Sequence, residues 1–312
     1  MGHQTDQLQE IERLFTEICE YRNGENFRQL LEFCARFKYL SPFNAWLVQL
    51  QMPGAKFTLT EAQWKNQYKR QLRRHARPLI ILQPFGPINM VFDISDTISS
   101  EKESSSLYDS HYSDEMILEE LMAPYRTRGS ISPEIIGKLI RNIKYSGIAI
   151  KTFEKGVKIA GEICLNDEET VELIVKDKTF KRPSDYVIYV NSRADNGEVF
   201  ATILHELGHL YCHHIGNKDK AWKIRDISYS SKEFEAETVS WLICERLEVG
   251  NPSEKYLNEY LDDKGNIPQD ISIHHILLAV NEIEKLLSAC PSKALKDGLL
   301  WKYRKGFRDS IK

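Results

Sequence analysis

His205-Glu206-Leu207-Gly208-His209 is the stretch of this 312-residue chain whose residue types and spacing best suit chemistry. On a helix, positions i and i+4 stand about 40° apart around the axis and are surface neighbours. His205 and His209 can therefore offer imidazole nitrogens to one ion, and Glu206, one step round, can reach a water at an open coordination position. Two histidines plus a third protein ligand leave one position of a tetrahedral zinc free, the arrangement of a catalytic rather than a structural site. Zn2+ held there would polarise a peptide carbonyl and acidify its water, with Glu206 taking the proton. The expected reaction is hydrolysis of peptide bonds in a protein substrate. The competing reading is an amphipathic helix with incidental polar residues. Against it, the motif sits among Ile203, Leu204, Leu207 and Leu210, where two unpartnered imidazoles and a carboxylate are costly to bury.

The third ligand must come from elsewhere. The extended metzincin pattern requires Gly at 212 and His at 215, where this chain has Cys212 and Ile215. His213 lies about 12 Å along the axis from His205, too far to share its ion. His213 and His214 read as exposed histidines at a helix end. The next helical stretch carries Glu233, Glu235 and Glu237. Its apolar stripe is Ala236, Val239, Ile243 and Leu247, and Glu233 lies nearest the centre of that stripe. Glu233 is the expected third ligand, Glu237 a partner for a metal-bound histidine, and Glu235 the alternative ligand. Tyr229, His274 and His275 are candidates for stabilising an oxyanion, and each also has an ordinary structural reading.

The elements that position these groups are expected to form an α+β domain, with strand-like segments followed by helices. Helical spacing marks Pro133–Ile143, 196–215, 232–247 and 271–289, with Asp195 and Glu198 as a capping pair opening the second of these. Strands are expected at Ile148–Phe153, Lys158–Leu165, Val171–Val175 and Tyr186–Val190. The last can be read as a sheet edge that holds an extended peptide, or as a core strand.

Upstream, helical periodicity runs through Leu8–Cys19 and Phe27–Cys34. Ser41-Pro42 opens a helix that ends at Pro53-Gly54. A helix or loop around Trp64 follows, then strands Leu79–Leu82 and Met90–Ile94 about Pro84-Phe85-Gly86-Pro87. Residues 95–115 turn rich in Ser, Asp and Glu. The expected organisation is an amino-terminal domain over 1–97, a linker over 98–115 and a second domain over 116–312, the last including a helix at Glu115–Met122 and a basic tail after Pro291.

Between Ala62 and Val91 there is no acidic residue, and Lys65, Lys69, Arg70, Arg73, Arg74 and Arg77 give the window a charge of +6. Trp46, Phe57, Trp64, Tyr68 and Phe85 lie in or near it. Cations interleaved with rings suit single-stranded nucleic acid, through phosphate contacts and base stacking, and a solvated basic surface is the alternative. The whole chain has net charge −3, so it is no polycation that coats nucleic acid. With 42% hydrophobic residues it can form a core. No apolar run is long enough to span a membrane. The opening MGHQTDQLQEIERLF does not read as a signal peptide, and six cysteines without a C-x-x-C pair suit a reducing compartment, so a cytoplasmic location is expected.

Two stretches resemble known families. YLSPFNAWLVQLQMPGAKF, Trp64 and RPLIILQPFGPINMVFDISDT resemble the amino-terminal domain of ArdC-type antirestriction proteins, a small α/β domain associated with single-stranded DNA. FATILHELGHLYC and KEFEAETVSWLICERL resemble the ImmA/IrrE metallopeptidases, zincins with a glutamate as third ligand. The matches cover about residues 39–97 and 186–247. The resemblance implies a zincin-like metallopeptidase domain, a small mixed sheet with the HExxH helix, behind an ArdC-like domain. It implies His205 and His209 as ligands, Glu206 as base and a glutamate of 233–237 as third ligand. ArdC-like glutamates match Glu233 and Glu237, whereas many ImmA-like sequences also have one at Glu235, so the ligand choice stays open. A helix-turn-helix domain, present in some relatives, is not apparent. The implied partner is a protein, one bound to DNA included. The rival reading is a protein that binds single-stranded DNA and carries a structural or vestigial zinc site.

Overall fold

The computed structural model describes residues 24–83, 88–99, 131–153, 161–166, 170–175, 178–217, 222–249, 260–261, 264 and 266–288. The chain divides into two compact units, Met1–Arg126 and Thr127–Lys312. The expected helix at Leu8–Cys19, the turn at 84–87, the helix at Glu115–Met122, the basic tail and all of the expected linker but Ile98 and Ser99 lie outside the described residues.

In the first unit, α1 (Gly24–Arg36) buries Phe27, Leu30, Leu31, Phe33 and Cys34, the face its spacing marks. Helix α2 (Pro42–Gln51) has Pro42 in its first turn, and the Ser41 side chain accepts from the Asn44 N–H. β1 (Thr58–Leu59) leads to α3 (Glu61–Tyr68), which settles the Trp64 region as a helix closed at its start by a Thr60/Gln63 capping box. Three strands follow: β2 (Arg70–Leu72), β3 (Leu79–Ile81) and β4 (Asn89–Asp93), and after a 3-10 turn comes β5 (Thr97–Ser99). They form an antiparallel β1-β4-β3 sheet and a β2-β5 ribbon. Ile98 and Ser99, expected to open the linker, are thus paired with Gln71 and Arg70. Periodicity in so short a strand is invisible, because three residues hold barely one alternation.

The second unit opens with α4 (Pro133–Tyr145), capped by Ser132. Strand β6 (Ile148–Phe153) is followed by β7 (Gly161–Leu165), the hairpin β8 (Thr170–Val175) and β9 (Lys178–Pro183), and β10 (Tyr186–Asn191). The sheet order is β6-β10-β7, with β10 parallel to β6 and antiparallel to β7. The reading of Tyr186–Val190 as a sheet edge is therefore corrected. Both sides of β10 are paired, and Tyr186, Val187, Ile188 and Val190 are buried, so its unbroken apolar run marks a central strand. Among the described residues, β7 is the edge strand on that side.

Three helices complete the unit: α5 (Asn196–Tyr211), α6 (Tyr229–Leu247) and α7 (Ile273–Ser288). Helix α5 packs on β7 and β10 and against α6, and α7 packs against both helices. Small sheets and flanking helices make this a mixed α+β molecule. Among the described residues, no helix is long and apolar enough to cross a membrane.

Candidate metal centre

Helix α5 carries the HExxH motif and starts where the capping pair predicts. Glu198 N–H donates to Asp195 Oδ1, and Asp195 N–H donates to Glu198 Oε2, both at 2.9 Å. Its apolar residues Phe200, Ile203, Leu204, Leu207 and Leu210 are all fully buried, which fixes the rotation of the helix and turns His205 and His209 to one side.

Helix α6 reaches that side because of Gly208. A Cβ added there would stand 2.9 Å from the Ala236 Cα and 3.1 Å from its carbonyl oxygen. Glycine costs a helix about 1 kcal/mol relative to alanine, yet only glycine allows the two backbones this close. The contact sets Glu233 and Glu237, one turn apart on α6, against the two histidines.

The geometry of the pocket follows. His205 Nε2 and His209 Nε2 are 3.1 Å apart. Glu233 Oε2 is 3.3 Å from His205 Nε2, and Glu233 Oε1 is 3.5 Å from His209 Nε2. The three residues form a group able to hold a metal ion. A tetrahedral zinc with bonds of about 2.05 Å has ligand–ligand edges of about 3.3 Å, and each imidazole Nε2 already has one of the two Glu233 oxygens at about that distance. The tautomer of His205 fits as well. Its Nδ1 lies 2.9 Å from Glu237 Oε2, and a carboxylate there accepts from an Nδ1–H, so the neutral, metal-binding form of His205 has its lone pair on Nε2.

Without a cation, the pocket draws protons. Burial works against charging His205, but its hydrogen bonds to Glu233 and Glu237 and the nearby Glu206 charge push its pKa up to about 10. Burial likewise opposes the charge of Glu233, and the two histidines nonetheless hold its carboxyl well below the usual range. Converging lone pairs and a fixed carboxylate are a demand for positive charge.

Glu206 is buried, and burial raises its pKa against the pull of His205 and His209. The Ile163 N–H of edge strand β7 bonds to it. Gly161 lets β7 come this near: a Cβ there would meet Thr202 Cγ2, and Glu206 Oε1 would be 3.3 Å away. Tyr229, at the start of α6, is 78% exposed, and its phenol is raised by the Glu233 charge, by burial and by a hydrogen bond to Glu233. Of the three oxyanion candidates it is the one placed at this pocket. His275 bonds Ser272 Oγ instead and packs against His213 and His274.

Glu235 is not at the pocket. It is fully buried and receives Arg225, His214 and the Ser272 N–H. The expectation of His214 as an exposed helix-end histidine is corrected too. Helix α5 stops at Tyr211, and His213 takes a positive φ of 62° and stacks on Trp222. That turn brings His214 back beneath His209, where it is buried with its Nδ1 3.0 Å from His209 Nδ1. A helix extended to 215 on periodicity alone cannot show this reversal, since a non-glycine left-handed residue carries little local signal.

The basic window of the first unit is a different matter. Arg70 is buried and donates to the Thr97 hydroxyl and carbonyl, which corrects its place among the cations expected to meet phosphates. Lys65, Lys69, Arg73, Arg74 and Arg77 are exposed, and Arg73 also donates to the Thr97 carbonyl. Among the described residues, the rings expected to stack on bases pack in or against the core. Trp46, Phe57 and Trp64 are buried, and Tyr68 packs against the cluster of Phe57, Trp64 and Ile94. Phe85 lies outside the described residues.

A peptidase-family model described as the IrrE N-terminal-like domain matches residues 161–243, from β7 through both histidines to the glutamates of α6. The match supports a metallopeptidase-like domain and, with it, a protein substrate. No curated protein and no solved structure gives a significant match.

Proposed function

We propose that the second unit is a zinc-dependent endopeptidase. His205, His209 and Glu233 are its metal ligands, Glu206 its general base, and Glu237 the residue that holds His205 in the metal-binding tautomer. The single observation that carries this reading is the convergence of His205 Nε2, His209 Nε2 and the Glu233 carboxylate, whose ligand atoms lie within 4.8 Å of one another. Zinc, when bound, supplies Lewis acidity to a substrate carbonyl and acidifies water.

The chain's own residues supply the rest. Glu206 lies buried beside the three donors, where its raised pKa suits a group that takes a proton from water and passes it to a leaving amine. Among the described residues β7 is the edge strand of this sheet and runs along the same pocket, the position at which an extended peptide could add as a further strand. Tyr229, whose phenol is in contact with Glu233, would serve as the hydrogen-bond donor to an oxyanion.

The test is metal content and cleavage together. The purified chain should hold one zinc, cleave members of a quenched-fluorescent peptide library, and lose cleavage on chelation with recovery on zinc addition. A chain that holds no zinc overturns the reading.

A second reading concerns the first unit. Five exposed cations within a stretch free of acidic residues favour contact with a DNA backbone by charge alone, without base stacking. Binding of an oligonucleotide that weakens steeply with salt would support it, and a protein partner bound to DNA would then be the natural substrate.

A further inference from the structure

Behind His209 lies a chain of buried groups that the proposed reaction does not use. His214 Nδ1 is 3.0 Å from His209 Nδ1, and His214 Nε2 is 2.9 Å from Glu235 Oε2. Arg225 grips Glu235 with both terminal nitrogens, the Nη2 bond to Oε1 being 2.8 Å, and the Ser272 N–H donates to Oε1 at 2.6 Å. The directions of these bonds are not free. Glu235 faces a guanidinium and a backbone N–H, so it is an acceptor at every contact. His214 must then donate to it from Nε2. A neutral imidazole that donates from Nε2 accepts at Nδ1, so the proton between the two histidines belongs to His209 Nδ1. With Nδ1 holding its proton, the neutral ring of His209 has its lone pair on Nε2, the atom facing His205 and Glu233.

We propose that His214 is a positioning residue: relayed from the Arg225–Glu235 pair, it fixes His209 in the one tautomer and ring orientation that present Nε2 to the metal pocket. The inference rests on the proposed metal site. It assigns to His209 an imidazole partner where His205 has a carboxylate, Glu237. The same residues are not a second metal site, although Cys212, His214 and Glu235 bring donor atoms together. Both His214 nitrogens are engaged, and the Glu235 oxygens are taken up by the four donated N–H bonds.

Two variants of near-equal size separate this role from a purely structural one. His214→Asn keeps an acceptor oxygen where Nδ1 stands. His214→Gln places its amide where Nε2 stands and strands the His209 proton. Competition against a chromophoric chelator, with zinc alone and the full chain, should show the Gln variant losing about 10–100-fold in affinity. The Asn variant should stay nearer the unmodified chain. Equal losses in both, or a second zinc that leaves when His214 is changed, overturn the proposal.

Nitrogen-15 histidine NMR on the unmodified protein decides the matter even if a variant fails to fold. A proton on His209 Nδ1 is expected in both metal-free and zinc-loaded chains, and a bare Nδ1 overturns the relay. A chain that takes up no zinc yet keeps that proton would defeat the metal reading and leave the relay standing.

Discussion

The metal pocket and the basic window were both visible as patterns of residue type, and the fold treats them differently. In the pocket, His205 and His209 are neighbours because helical geometry makes them so, whatever surrounds the helix. In the window, six cations and several rings share a stretch of chain, but sharing a stretch does not decide which side chains face water. Arg70 and the rings Trp46, Phe57, Trp64 and Tyr68 turn inward, and the remaining cations stay outside. A motif with fixed spacing survives folding, whereas a compositional motif is sorted by it.

The largest effect should come from the donors themselves. Glu233→Ala should abolish stoichiometric zinc and all cleavage, measured by metal analysis beside the peptide assay. If zinc remains bound and one of Glu235 or Glu237 proves essential instead, the pocket geometry has been misassigned.

Next, Glu206→Gln should keep zinc and lower cleavage by about 10²–10⁴-fold, the usual range for a general acid–base group. Unchanged turnover would remove Glu206 from the mechanism.

Third is the helix contact. Gly208→Val should destabilise the second unit by about 1–3 kcal/mol in denaturant unfolding, because the new side chain meets the Ala236 backbone. Zinc affinity should fall with it.

The smallest effects lie in the window, where they sharpen the contrast. Arg70→Ala should cost about 1–3 kcal/mol of stability through its lost buried hydrogen bonds. Lys65→Ala, Lys69→Ala and Arg74→Ala, the members of a triple change, should each stay within about 0.5 kcal/mol. If the first unit binds single-stranded DNA, that triple change should flatten the slope of log affinity against log salt by about 2. An Arg70 variant as stable as the unmodified protein would show the window to be uniformly solvated.

The legible part of the fold was the long, periodic part. Helices α4 to α7 stand close to where periodicity and caps place them, and Asp195 with Glu198 opens α5 as a capping pair should. Strands β1, β2, β5 and β9 gave no comparable signal. The first three are two or three residues long, and β9 reads Lys-Thr-Phe-Lys-Arg-Pro, with hardly an apolar residue to alternate. The capping box at Thr60 and Gln63 was available in the sequence and would have marked α3 as a helix.

Helical spacing alone determined that two imidazoles and a carboxylate would share one turn of α5, and the sequence showed that the next helix carries glutamates. Which glutamate faces which histidine was a tertiary decision. It depends on how α6 is rotated against Gly208, a rotation set by burial on nearly every side of that helix. The role of His214 was decided the same way, by a left-handed turn at His213 that brings back into the core a residue the helix would have carried into solvent. Local geometry propagates only a turn or two along a chain, and beyond that the packing of one element on another chooses the neighbours.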